Sequence, residues 1–236
     1  MDYLPSYIFP KHERLITDNL ALGISLGGHA TWSCALHEPR IRSAIIVIGC
    51  PDYVNLMADR ARLSKHPSWT STEGSQFLGS EAFPKSLVET VHKYDPTSLF
   101  LSFTSIPTNA SIENGGSFIP LRNGPLPEPS ESEKNALRPL LTKCLAGKRI
   151  LNLAGGSDKL VPYHRGESFL TWLKKAVAPD GWFGDGAVTL EDIIDQEAGH
   201  EMTPKMTAEA VRFIIEAQVV PIDGQNTVGF VRELKL

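Results

Sequence analysis

The chain has 236 residues, 42% of them hydrophobic and 21% charged, with a formal net charge of -4. That composition is ordinary for a globular protein and suffices for one α/β domain or two small ones. The slight acidity and the scattered Lys and Arg leave no basic field for nucleic acid, and no apolar run is long enough to span a membrane.

Met1 to Lys11 lacks a basic segment followed by a long apolar core, so no secretory signal is read and a cytoplasmic location is expected. The first strand-like segment is Asn19-Leu20-Ala21-Leu22. It runs into Gly23-Ile24-Ser25-Leu26-Gly27-Gly28-His29, where a serine stands between glycines as a strand gives way to a helix. That is the layout of a nucleophile elbow, a sharp turn that lifts a hydroxyl clear of the backbone. The helix carries Ala30, Trp32, Cys34 and Leu36 and stops before Pro39.

Ser43 to Gly49 is a β-branched apolar run of the kind found in a parallel strand covered on both faces. It ends in the loop Cys50-Pro51-Asp52. Helices are predicted over Tyr53 to Leu63 and Pro84 to Lys93, with a Ser-, Thr- and Gly-rich stretch from Ser64 to Ser80 between them. Thr104 to Ser132 lacks either period and reads as a long, mobile surface loop. A helix over Glu133 to Leu145, kinked or restarted at Pro139, leads into the strand Arg149 to Ala154 and the tight loop Gly155-Gly156-Ser157-Asp158. Tyr163 to Ala178 has helical spacing, Val188 to Ile194 reads as a strand, and Pro204 to Val219 as a closing helix. Pro221 to Leu236 looks like a polar extension.

Strands alternating with helices predict an α/β fold, a mostly parallel sheet flanked by helices with its chemistry outside the C-terminal strand ends. Ser25, Asp158 and His200 all fall at such ends. A serine hydroxyl needs a base to take its proton and an acid to orient that base. Of the seven histidines, His200 follows the last strand and is the candidate base. His29 and His164 could line the pocket, while His12, His37, His66 and His92 read as surface residues. Asp158 is the favoured acid because it gives the order Ser, Asp, His; Asp52, also at a strand end, is its rival. The three cysteines, Cys34, Cys50 and Cys144, are far apart and read as buried free thiols in a reducing compartment.

The segments at 23 to 29, 155 to 163 and 198 to 202 resemble, in order, the nucleophile, acid and base segments of the α/β-hydrolase superfamily. More narrowly, the chain is similar to fungal serine esterases and thioesterase-like members linked to secondary metabolism. The resemblance implies a single α/β-hydrolase-like domain over 1–236, with a helical and loop cap inserted over 53–145, a mobile loop at 104–132 and a C-terminal extension at 221–236. It implies that Ser25 attacks a small-molecule ester or thioester, that His200 moves the proton, and that Asp158 holds the imidazole. Gly23 and Gly27 would shape the elbow, and the Leu26 backbone N–H would stabilise the oxyanion. No metal or organic cofactor is implied. Trp69, Phe77 and Phe83 would either face the substrate from the cap or be ordinary packing. An acyltransferase using the same acyl-enzyme, or a non-catalytic binding protein, are the alternative functions.

A complete family member carries several strands and a second oxyanion loop before the elbow, whereas only 24 residues precede Ser25 here. The expectation is therefore an N-terminally truncated, partial α/β-hydrolase fold, weak or inactive as an enzyme, or else one whose exposed sheet edge is covered by a dimer mate or another partner.

Overall fold

Alternation along the second predicted strand sets the layering. In the computed structural model, which describes residues 7–8, 18–106 and 121–219, Ala44 and Ile46 are buried against one helical layer and Ile45 and Val47 against another. This is the period of two that places successive side chains on opposite faces of a sheet. Four strands, β1 (Asn19–Ile24), β2 (Ile41–Val47), β3 (Arg149–Gly155) and β4 (Thr189–Asp195), pair side by side in that order, all parallel.

Eight α-helices occur among the described residues: α1 (Leu26–His37), α2 (Tyr53–Leu63), α3 (Pro67–Thr70), α4 (Lys85–Tyr94), α5 (Pro96–Leu101), α6 (Glu131–Leu145), α7 (Glu167–Val177) and α8 (Pro204–Val219). The first core layer joins Trp32 and Leu36 of α1, Phe100 of α5, Leu137 and Leu141 of α6, and Phe169 and Trp172 of α7 against Ala44, Ile46 and Ile150. On the other face, Met206, Ala210 and Phe213 of α8 cover Ile45, Val47, Leu151 and Leu153. With helices on both faces of a parallel sheet, the strands can be apolar on both sides.

The second layer stops short of β1. Leu22 pairs with Ile45 and Ile24 with Val47, so Leu20, Leu22 and Ile24 share the α8 side of the sheet. They stay 38%, 46% and 44% exposed. Among the described residues β1 is an edge strand.

Between β2 and β3 lie helices α2 to α5, the first three of which build a smaller cluster in which Trp69, Phe77 and Phe83 pack with Val54, Ala58 and Val91. Phe77 and Phe83 lie with ring centroids 5.5 Å apart, and all three aromatics are buried. Two of these elements escape the sequence pattern. The short α3 lies inside the stretch read as polar, and α5 begins at Pro96 behind the N-cap Asp95, whose carboxylate accepts from the Ser98 N–H. Helix α6 begins two residues earlier than predicted, behind a capping box of Ser130 and Glu133, and carries Pro139 inside it. The stretch predicted as one helix over Tyr163 to Ala178 divides into a 3₁₀ turn, Tyr163–Arg165, and α7. Of the expected mobile loop, residues 107–120 lie outside the described residues, as does the extension at 221–236.

The cysteines divide. Cys50 and Cys144 are buried, whereas Cys34 is exposed on α1, contrary to the expectation of three buried thiols. Its neighbours Ala35 and Leu36 face the core instead.

Candidate active site

At the C-terminal end of β1 the chain turns through Ser25 with φ 56° and ψ -116°. A positive φ is costly for a residue with a Cβ, of order 1–3 kcal/mol, and persists only where the surroundings impose it. Here two backbone bonds do so: the Ser25 N–H donates to Val47 O at 2.9 Å, and the His29 N–H donates to Ser25 O at 3.1 Å. The serine occupies the N-cap of α1, yet its side chain caps nothing. The hydroxyl instead donates to His200 Nε2 at 2.8 Å.

The glycines of the turn contribute unequally. A Cβ on Gly23 would sit 2.0 Å from Gly27 O and 2.3 Å from Thr31 Oγ1, so strand and helix could not approach as they do. Gly27, expected to serve the elbow in the same way, has open space around a would-be Cβ. The second close approach belongs to Gly28, whose would-be Cβ lies 2.9 Å from Gly49 Cα at the end of β2. Leu26 opens α1, and the first N–H groups of a helix have no intrahelical acceptor. Its side chain is 72% exposed.

From β3 the chain enters the loop holding Asp158, buried at 4% exposure. One carboxylate oxygen accepts the N–H of Leu160 at 2.8 Å and of Val161 at 2.9 Å. The other accepts from His200 Nδ1 at 2.8 Å. Two backbone donors thus hold the carboxylate still while it fixes the ring, and with it the tautomer that leaves Nε2 free to accept the serine proton. His200 comes from the loop after β4, which is pinned by the Ala198 N–H to Asp195 O at 3.1 Å and by Ser157 N–H to Ala198 O at 3.0 Å.

Asp52, the rival acid, is elsewhere. It caps α2 through the Asn55 N–H and pairs with Arg122 Nε at 2.9 Å. Burial nonetheless raises its carboxyl, and that of neighbouring Asp95 climbs to about 8 from burial and the Asp52 charge. The pair belongs to a polar seam in which Asn55 exchanges hydrogen bonds with the Arg122 backbone and donates to Arg165 O.

His29, one helical turn beyond Ser25, is half-buried with Nδ1 2.9 Å from both the N and the O of Cys50. Burial lowers its basicity, and the Arg60 and His200 charges lower it further. The Tyr53 ring stands edge-on at 5.6 Å. Arg60, on the same face of α2 as Tyr53, donates through Nε and Nη2 to Leu160 O at 3.0 and 2.5 Å. Sequence spacing alone shows Arg60 only as a helix-surface residue; its link to the Asp158 loop spans 100 residues. No group of three His, Cys, Asp or Glu side chains suited to a metal ion occurs among the described residues. Nor is any of their helices long and apolar enough to cross a membrane.

A serine on a strained turn after a parallel strand, with an acid and a histidine supplied in that order by the ends of two later strands, decides the architecture. The described residues form a partial α/β-hydrolase fold. No protein-family model and no curated protein sequence matches the chain. Solved structures do align with it. Arabidopsis thaliana SOBER1 aligns over 92% of this chain and 62% of its own, with 14% identity and a TM-score of 0.39. An acylaminoacyl peptidase of Pyrococcus horikoshii aligns over 91% of this chain and 25% of its own, at 11% identity and TM-score 0.40. An esterase of Pyrococcus furiosus aligns over 91% and 57%, at 14% and 0.38. The chain therefore spans less than two thirds of each of these proteins.

Proposed function

We propose that this chain is a serine hydrolase of the α/β-hydrolase superfamily, acting on small carboxylic esters or thioesters through Ser25, His200 and Asp158. The observation that carries the reading is the unbroken line of hydrogen bonds from Ser25 Oγ to His200 Nε2 and from His200 Nδ1 to Asp158, each 2.8 Å long.

In the first half-reaction Ser25 Oγ bonds to the substrate carbonyl carbon as its proton passes to His200 Nε2. The negative charge on the carbonyl oxygen collects near the Leu26 N–H, at the positive end of α1. When the tetrahedral intermediate collapses, the bond to the alcohol or thiol breaks and the leaving group takes the proton from His200. Water then attacks the acyl-serine, gives its proton to the same nitrogen, and releases the acid and the free serine. The Asp158 carboxylate holds the ring and steadies the imidazolium.

A fluorophosphonate probe tests this directly: it should label folded wild-type protein and fail to label Ser25→Ala. Absence of label on folded wild-type chain refutes the reading. Part of the same proposal is a dimer mate or another partner chain on the edge of β1 that no described strand pairs, because an unpaired apolar strand edge invites pairing. Light scattering over a concentration series tests it, and a monomer at all concentrations refutes it.

A further inference from the structure

One face of α2 carries Tyr53, Met57 and Arg60, spaced i, i+4 and i+7, and its two ends meet the elbow helix at His29 and the Asp158 loop at Leu160. Tyr53 meets His29 one turn past the nucleophile. Arg60 reaches across to Leu160, two residues beyond Asp158 and itself 55% exposed. The guanidinium is thus exposed beside the Asp158 loop, held by a neutral carbonyl.

No described residue cancels its charge. Among the described residues no carboxylate lies within ion-pairing distance of Arg60, although Asp59 beside it in sequence pairs with both Arg62 and Arg165. Lys159, exposed on the Asp158 loop, likewise has no ion-pair partner among them. The Arg60 charge also acts on His29, which Tyr53 of the same helix face meets edge-on. The exposed acids Glu197 and Glu201 belong to the next loop, after β4, and make no ion pair with Arg60.

A guanidinium presents five donors in a planar fork. Leu160 O takes one from Nε and one from Nη2, and among the described residues the Nη1 edge is left over. We infer that Arg60 is a specificity-determining residue and that the preferred substrates are esters or thioesters whose acyl chain ends in a carboxylate, bound by that free edge. A carboxylate there gains a charge-assisted hydrogen bond while the ester carbonyl lies against Ser25, and a neutral chain of the same length does not. The inference rests on the hydrolase reading above and adds to it the class of acyl group.

The test compares monoethyl glutarate with ethyl valerate, esters matched in chain length, by pH-stat on wild type, Arg60→Gln and Arg60→Lys, with fluorophosphonate labelling run alongside. Wild type should prefer the glutarate monoester, and Arg60→Gln should lower the ratio of the two kcat/KM values about 10- to 100-fold, the range for losing a hydrogen bond to a charged group. Arg60→Lys, which keeps the charge, should retain most of the ratio, and added salt should shrink it. Equal turnover of both esters by wild type overturns the inference. So does a parallel fall for both in Arg60→Gln, which would leave Arg60 as a brace for the Asp158 loop alone. Label on Ser25 with no glutarate preference sinks only the substrate class; no label and no turnover of either ester sinks the hydrolase reading and the inference with it.

Discussion

Asp158→Asn puts the hydrogen-bond line under its sharpest strain. The carboxylate accepts three N–H groups in a buried setting, two from the backbone and one from His200 Nδ1. An asparagine keeps one oxygen, enough for the Leu160 and Val161 donors, but turns an NH₂ group toward Nδ1. The imidazole must then accept at Nδ1 and carry its proton on Nε2, where it can no longer take the proton of Ser25. Loss of the correct tautomer in such triads costs on the order of 10⁴-fold in kcat, equivalent to about 5 kcal/mol of transition-state stabilisation. Folding should suffer far less, about 1–2 kcal/mol, because the backbone donors remain satisfied. The assay is hydrolysis of 4-nitrophenyl acetate by wild type, Asp158→Asn and Ser25→Ala, with urea unfolding of each. If the asparagine variant loses less than about tenfold while Ser25→Ala abolishes turnover, Asp158 is not what orients the base.

The two motif glycines should part company. Gly23→Ala is expected to cost about 2–3 kcal/mol because its Cβ meets backbone at 2.0 Å, whereas Gly27→Ala, with open space, should gain about 0.5–1 kcal/mol by stiffening a helical turn. Equal shifts in urea midpoint would contradict that assignment. The buried Asp95 makes stability depend on pH. Its folded value of about 8 lies above the unfolded value of about 3.9, so the folded chain keeps a proton that the unfolded chain releases between them. That contribution is complete below about pH 4 and fades as pH rises through 8, so between about pH 5 and about pH 9 the melting temperature of wild type should decline more steeply than that of Asp95→Asn. Parallel declines, followed by circular dichroism, would refute the role of Asp95.

The strands, their order and the helices flanking them were legible in the sequence because burial on both faces leaves continuous β-branched runs such as Ser43 to Gly49, and because amphipathic helices keep their own period. Ser25, Asp158 and His200 could be picked out as neighbours since a parallel sheet brings successive strand ends to one side. What stayed hidden depends on distance along the chain or on crowding. That Asp52 would be held by Arg122, 70 residues away, and not by a histidine is a tertiary fact. So is the difference between Gly23 and Gly27, which look alike in the motif but face different surroundings. Cys34 shows the limit of composition: free thiols are usually buried, but this one sits on the outward side of α1. The helix α5 was missed because six residues starting at proline carry too short a pattern to show a period.

The row of Leu20, Leu22 and Ile24 has a practical side for anyone handling the material. An oily ribbon whose rim no described strand pairs, and which carries no charge to repel a neighbour, would seed cloudiness on concentrating and storage wherever nothing else covers it. Leu22→Lys, at a half-exposed position in the middle of that row, sets a charge where neighbouring copies would otherwise stick.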